Sequence, residues 1–176
     1  HYWDEDNGGF FMTADDGEKL IVRNKEVYDG AQPSGNSVAA LNLLRLARLT
    51  GEVVYEEKAK ETIKAFGKEL AERTAGFSMM LQAVDFLLAE TKEIVIVGKE
   101  GADDTKKMLA SIQQRFDPHK VVLFKPEGSV GDALSKIAPY VADHAAKNGQ
   151  ATAYVCQNFT CKLPETDLAK VMESLK

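Results

Sequence analysis

The sequence Asp29-Gly30-Ala31-Gln32-Pro33-Ser34-Gly35-Asn36-Ser37 places turn-forming residues directly before the most apolar helical stretch of the chain. Its glycines allow positive φ and its proline fixes its own φ, so the segment predicts a loop. A helix is expected to begin at Asn36 or Ser37, because either side chain can cap a first helical turn. Asp29, Ser34 and Asn36 would then lie near the positive end of a helix, where an anion or a hydroxyl-rich ligand is favoured. The same residues also fit a loop and a cap that bind no ligand.

Three helical stretches follow this loop and differ in polarity. Residues 37–49 and 77–90 are apolar on nearly all sides, whereas residues 53–73 carry a narrow apolar stripe among many charged residues. An alternation of surrounded and outer helices is typical of a two-layer αα-toroid. Residues 8–28 combine turn signals with β-prone runs, which predicts a leading β-hairpin. We therefore expect residues 1–91 to be part of a toroid, with too few helices to close it.

After residue 91 the pattern changes to apolar runs that alternate with helical stretches. The runs begin at residues 94, 121 and 151, and helices are expected near 103–115, 130–147 and 165–175. Strands separated by helices at this spacing predict right-handed crossovers. The expected fold class is mixed α and β: a partial αα-toroid, then a small three-stranded parallel α/β domain in residues 92–176.

The composition excludes several classes of protein. The 176 residues are 44% hydrophobic and carry a formal net charge of −5, so we expect a packed core and no nucleic-acid partner. Neither a membrane-spanning run nor a signal-peptide pattern is visible, which predicts no membrane partner and a cytoplasmic location. The chain begins His1-Tyr2-Trp3-Asp4, without an initiator methionine and within what reads as a structured segment. This beginning predicts a part excised from a longer protein.

The two cysteines, Cys156 and Cys161, are spaced too widely for a C-x-x-C redox or zinc motif. The three histidines, His1, His119 and His144, have no ligand-like spacing from them, so no metal site and no cofactor is expected. Reduced, structural cysteines are the favoured interpretation. A disulfide across the intervening loop, or a redox role, stays open.

Four segments carry a resemblance to a known family. They are WDEDNGGFF (3–11), the run from LIVRNKEVYDG to ARLTG (20–51), EIVIVG (93–98) and VCQNFTCKLPETD (155–167). Together they resemble the C-terminal part of the spermatogenesis-associated protein 20 family, with YDGAQPSGNS as the most specific block. The resemblance implies an N-terminal thioredoxin-like domain and a toroid similar to six-hairpin glycosidases and N-acylglucosamine epimerases. The parts of that parent protein missing from this chain are therefore expected partners.

The same resemblance implies a pocket at the loops that lead into inner helices. That pocket would include Asp29, Ser34 and Asn36. Three further residues would line the approach: Tyr28, Glu26 and Arg23. A fold shared with these enzymes does not by itself imply their reactions.

Two classes of function stay open. In the first, the protein binds or modifies a small carbohydrate: Asp29 and Glu26 act as acid and base, and aromatic side chains such as Trp3 and Tyr28 stack on the sugar ring. In the second, the chain is a non-catalytic scaffold or interaction domain that serves the thioredoxin-like domain. Cys156 and Cys161 could then exchange disulfides with that domain. The uncovered apolar helices also predict self-association.

Overall fold

The structure is a computed structural model in which residues 1–175 are described, and it divides into two compact units. The first unit comprises residues 1–47 and 52–89. The second comprises residues 48–51 and the chain from residue 90 onward. Each unit has its own buried residues and is described by itself.

The first unit is built from an irregular N-terminal segment and four helices. The helices are α1 (Gly35–Thr50), whose residues from 48 onward belong to the second unit, α2 (Val53–Ala65), α3 (Gly67–Glu72) and α4 (Ser78–Leu88), with a 3-10 turn at Thr74–Gly76. The helix predicted over 53–73 is thus interrupted at Phe66, where φ is −113° and ψ is 14°. No helix among the described residues is long and apolar enough to cross a membrane.

Helices α1 and α4 are buried on one side rather than surrounded. In α4, Met80, Ala83 and Phe86 are buried, whereas Leu88 is 79% exposed. In α1, Leu46 is likewise 41% exposed. Helices α1 and α4 thus each have an exposed side in this chain. The fold class is mixed α and β, and the assignment of residues 1–91 to part of a toroid stays a prediction.

The predicted β-hairpin over residues 8–28 is also wrong. Among the described residues, this segment has loops and an isolated antiparallel bridge between Trp3 and Phe10. The β-prone run Leu20-Ile21-Val22 is exposed and has no strand partner there. Because β propensity depends on a surface to pack against, a β-branched run without such a surface need not form a strand.

The second unit is a four-stranded mixed sheet with helices. The strands are β1 (Lys92–Gly98), β2 (Lys120–Pro126), β3 (Thr152–Gln157) and β4 (Thr160–Cys161), in the order β2-β1-β3-β4. The helices are α5 (Asp103–Gln114), α6 (Ser129–Ile137) and α7 (Leu168–Ser174), with a 3-10 turn at Pro139–Val141. One sheet face packs Ile94 and Ile96 against Met108 and Ile112 of α5 and Val171 of α7.

The prediction of a three-stranded parallel sheet is contradicted by the strand pairing. Strand β1 is parallel to β2 but antiparallel to β3, and β3 is antiparallel to β4. The helix predicted over 130–147 ends at Ile137, shortly before Pro139, which cannot continue a helix. Lys125, near the end of β2, then hydrogen-bonds the carbonyl groups of residues 141, 142 and 144. The chain is thus held at the carboxyl end of β2 before β3 begins, so β3 runs back along β1.

Candidate functional site

The side chain of Asp29 binds the start of α4. Its Oδ2 accepts hydrogen bonds from the backbone N–H groups of Met79 (2.8 Å) and Met80 (3.1 Å), and its Oδ1 accepts one from Ser34 (2.9 Å). The residue is 9% exposed. A carboxylate at a helix N-terminus satisfies free N–H groups and interacts favourably with the helix dipole. Both oxygens of Asp29 therefore have a structural task.

Asn36 ties two loop segments together instead of capping its helix. Its Oδ1 accepts the N–H of Phe10 (2.6 Å), and its Nδ2 donates to the carbonyl groups of Phe10 (2.9 Å) and Glu26 (2.8 Å). The cap of α1 is Ser34, whose Oγ accepts the N–H of Ser37 (3.1 Å). The expectation that Asn36 or Ser37 caps this helix is wrong, because α1 begins earlier, at Gly35.

Two of the remaining residues predicted for the sugar pocket, Arg23 and Trp3, contact other residues of the N-terminal segment. Arg23 donates to the carbonyl groups of Thr13 and His1, and its guanidinium lies 4.1 Å from the Phe11 ring centroid. The Trp3 ring lies edge-on to Phe10, with the ring centroids 5.0 Å apart, so both rings pack on each other.

Tyr28 and Glu26 are the exposed members of the predicted pocket. Tyr28 is 61% exposed, and its ring lies edge-on to Phe77. Glu26 and Asn36 line a shallow cavity of about 240 Å³ whose described lining does not include Asp29. The structure thus does not place the predicted acid and base in one cavity. Their catalytic role stays a prediction.

A second candidate site lies in the second unit, where a disulfide joins Cys156 and Cys161. The two residues are paired across the β3–β4 hairpin, whose two turn residues, Asn158 and Phe159, both have positive φ. Such a turn matches the right-handed twist of its strands. The interpretation favoured from the sequence, reduced cysteines, is therefore wrong, and the disulfide that stayed open is present.

Glu93 lies opposite Cys156 in the neighbouring strand β1. It is completely buried, its Oε2 accepts the N–H of Phe159 (3.1 Å), and its Oε1 lies 3.7 Å from Nη1 of Arg48. Its Oε1 makes no hydrogen bond within the described residues. Burial raises the pKa of Glu93, and the hydrogen bond from Phe159 and the charge of Arg48 only partly oppose this.

His144 contacts the Cys161 end of the disulfide. Its Nε2 is 3.5 Å from Sγ of Cys161, and its ring centroid is 4.1 Å from that of Tyr154. Burial and the charge of Lys125 lower the pKa of His144, so its ring is neutral at pH 7. One ligand atom each from His144, Cys156 and Cys161 lies within 4.8 Å of the others. Because metals bind thiolates, the disulfide would have to be reduced before this cluster could hold one.

Sequence reasoning missed Glu93, His144 and Lys125. Glu93 opens an apolar strand and resembles an ordinary strand-end charge. His144 falls inside a stretch predicted as helix. The signal that could have found Glu93 is its place in the strand register, which no spacing within the sequence reveals.

We expect the stability of the wild type to depend on pH through the Glu93 carboxyl group, and the Glu93→Gln variant to lack this dependence. Because burial holds the pKa of Glu93 above its ordinary value of 4.5, its protonated form stabilises the fold below that pH. This contribution is lost as the pH rises through the raised pKa. The unfolding free energy of the wild type, relative to that of the variant, should therefore fall as the pH rises above 4.5 in urea titrations.

Glu165→Gln is the matched control for that pH experiment. Hydrogen bonds from the backbone N–H groups of Asp167 and Thr166 lower the pKa of Glu165, so its contribution is lost as the pH falls. The relative stability should thus change with pH in the opposite direction. A pH-independent difference between wild type and Glu93→Gln would contradict the prediction.

Comparison with known proteins finds several similar proteins that carry the same name. The chain is 34% identical over 175 residues to human spermatogenesis-associated protein 20, covering 99% of this chain and 22% of that protein. The rat and mouse proteins of the same name are 33% and 32% identical over the same lengths. No protein-family model matches the chain. The chain thus spans about a fifth of the length of these relatives, a share consistent with the C-terminal part expected from the sequence. The comparisons confirm the predicted resemblance: the chain is similar, over nearly its whole length, to one part of spermatogenesis-associated protein 20.

Proposed function

We propose that the first unit is an interaction domain that packs on other parts of the longer protein. The observation that carries the proposal is the use of Asp29: both carboxylate oxygens accept backbone N–H groups, one at the loop and two at α4. An acid or base must reach the proton that it transfers, and a carboxylate held in this way is committed to the fold. The geometry therefore favours the non-catalytic alternative over sugar chemistry at this loop.

The surface of the first unit supports this proposal. Leu20, Ile21 and Val22 form a continuous exposed apolar run, in which Ile21 is fully exposed. None of their three backbone N–H groups donates a hydrogen bond within the part of the chain that the structure describes. A β-prone run with free N–H groups and apolar side chains can add to the edge of another sheet.

The resemblance suggests which protein parts cover this surface. A thioredoxin-like domain and further helices of the parent protein are the proposed partners, because this chain spans only 22% of the human relative. In the isolated chain the same run, together with Leu88, would favour self-association.

Hydrogen exchange on the full-length protein tests the proposal. We expect the N–H groups of residues 20–22 to exchange at least about tenfold more slowly in the full-length protein than in the 176-residue chain, because packing buries them. An Ile21→Lys substitution should remove this protection, whereas Glu18→Lys in the preceding exposed turn should leave it unchanged. Equal exchange in the two proteins would reject the interaction surface. Calorimetric titration with aldoses and amino sugars decides whether the carbohydrate alternative replaces it.

A further inference from the structure

The Cys156–Cys161 disulfide restricts only a short segment of the chain. It closes a loop with a sequence separation of only 5, between strands that are already paired. The stabilisation that a disulfide provides by restricting the unfolded chain grows with the length of the closed loop. A purely structural role therefore gains little from this bond.

Two groups capable of proton transfer lie near the disulfide: His144 contacts the Cys161 sulfur, and Glu93 is the strand partner of Cys156. Glu93 is paired with Cys156, and Cys156 is paired with Cys161, so all three side chains occupy one face of adjacent strands. Glu93 Oε1 is buried and makes no hydrogen bond among the described residues. The Nε2 atom of His144 lies 3.5 Å from the Cys161 sulfur. An imidazole thus lies at the Cys161 sulfur, and a buried carboxyl group, whose second oxygen Oε2 accepts the N–H of Phe159 in the hairpin turn, lies on the strand face that carries Cys156.

The disulfide is accessible from one side. Cys156 is 1% exposed, whereas Cys161 is partly exposed, so an incoming thiolate reaches the sulfur of Cys161 first. Both cysteines line a cavity of about 400 Å³, together with Lys92 and Lys162. Positive charge at such a site favours the thiolate form of an approaching thiol.

We propose that Cys156 and Cys161 are a redox-active pair that accepts two electrons from a dithiol. In this reaction His144 transfers protons at the sulfur of Cys161, and Glu93 donates a proton to the sulfur of Cys156. His144 takes the proton of the first incoming thiol. The resulting thiolate attacks Cys161, a mixed disulfide forms, and the Cys156–Cys161 bond breaks. Cys156 leaves as a thiolate and takes the proton of the Glu93 carboxyl group.

The second step completes the exchange. The second thiol of the dithiol loses its proton to water and attacks the mixed disulfide. The dithiol becomes a disulfide, and the Cys161 thiolate leaves and receives the proton held by His144. Glu93 regains a proton from water. The pair ends as two thiols, having gained two electrons and two protons.

The test uses the 176-residue chain, whose sequence contains only these two cysteines. The oxidised chain is mixed with dithiothreitol, samples are quenched with a maleimide, and the mass shift gives the rate of reduction. We expect Glu93→Gln and His144→Asn each to slow reduction about tenfold or more, since positioned proton transfer accelerates such steps by large factors. Asp132→Asn, on the exposed surface of α6, should leave the rate unchanged.

A second measurement separates the redox role from a structural one. In the reduced chain, the rate at which Cys161 reacts with iodoacetamide should fall severalfold in His144→Asn, because the imidazole accepts the thiol proton. A structural histidine would not alter this rate in a folded chain. If Glu93→Gln does not fold, as judged by circular dichroism, the two rates of His144→Asn decide the matter alone. The proposal is overturned if these rates equal those of the wild type, or if the disulfide resists dithiothreitol until the chain unfolds.

Discussion

Replacing Asp29 by alanine should lower the free energy of unfolding of the first unit by about 3 kcal/mol, since three backbone N–H groups lose a charged acceptor. Two of these groups begin α4, where α4 itself offers them no acceptor. The third belongs to Ser34, the cap of α1, so the starts of both helices depend on the same carboxylate. Trp3 is the one tryptophan in the sequence and lies in this unit, so its fluorescence during urea unfolding provides the measurement.

Two further variants calibrate the Asp29 result. Ser34→Ala removes the cap of α1 alone and should cost about 1 kcal/mol. Asp29→Asn keeps one acceptor oxygen and should fall between Ser34→Ala and Asp29→Ala. Stability equal to that of the wild type in Asp29→Asn, combined with loss of sugar binding by the full-length protein, would contradict the structural role and restore Asp29 as a catalytic candidate.

In the loop at residues 29–37, the sequence predicted the local structure but not the distant contacts. Glycine, proline and serine predict a turn and a helix start by local rules, and α1 does begin inside that segment, at Gly35. The partners of Asp29 lie 50 and 51 residues further along the chain, at α4. Local spacing cannot reveal an acceptor that serves a distant helix, so a structural carboxylate resembled a catalytic one.

In the second unit, the sequence predicted the strands but not the direction of β3 relative to β1. The apolar runs did predict β1, β2 and β3, because continuous β-branched residues mark buried strands. Whether β3 runs parallel or antiparallel to β1 depends on where the chain lies after α6. That position is set by a buried lysine and a proline rather than by periodicity. Glu93 is the strand partner of Cys156 because of this antiparallel pairing, so this placement could not be predicted from the sequence either.

Lys125 is the residue for which we expect the other large effect. Lys125 is buried, and its Nζ donates to the carbonyl groups of Val141 (2.7 Å), Ala142 (2.8 Å) and His144 (2.9 Å). A methionine at this position has similar length but no donor, so three carbonyl groups would lose a charged partner. Relief of the cost of burying an ammonium group offsets part of the loss. We expect Lys125→Met to lower the unfolding free energy of the second unit by about 3 kcal/mol.

The Lys125→Met variant should also change the surroundings of the disulfide. Because Lys125 holds the segment that carries His144, its loss should free residues 141–144 and raise their hydrogen-exchange rates. Lys136→Met, on the exposed surface of α6, is the matched control and should change stability by less than about 0.5 kcal/mol. Circular dichroism during urea unfolding measures stability, and exchange at 141–144 reports on the segment. A Lys125→Met chain as stable as the wild type, with unchanged exchange at these residues, would show that the lysine does not set the path of the chain into β3, and the explanation given for the antiparallel pairing would fail with it.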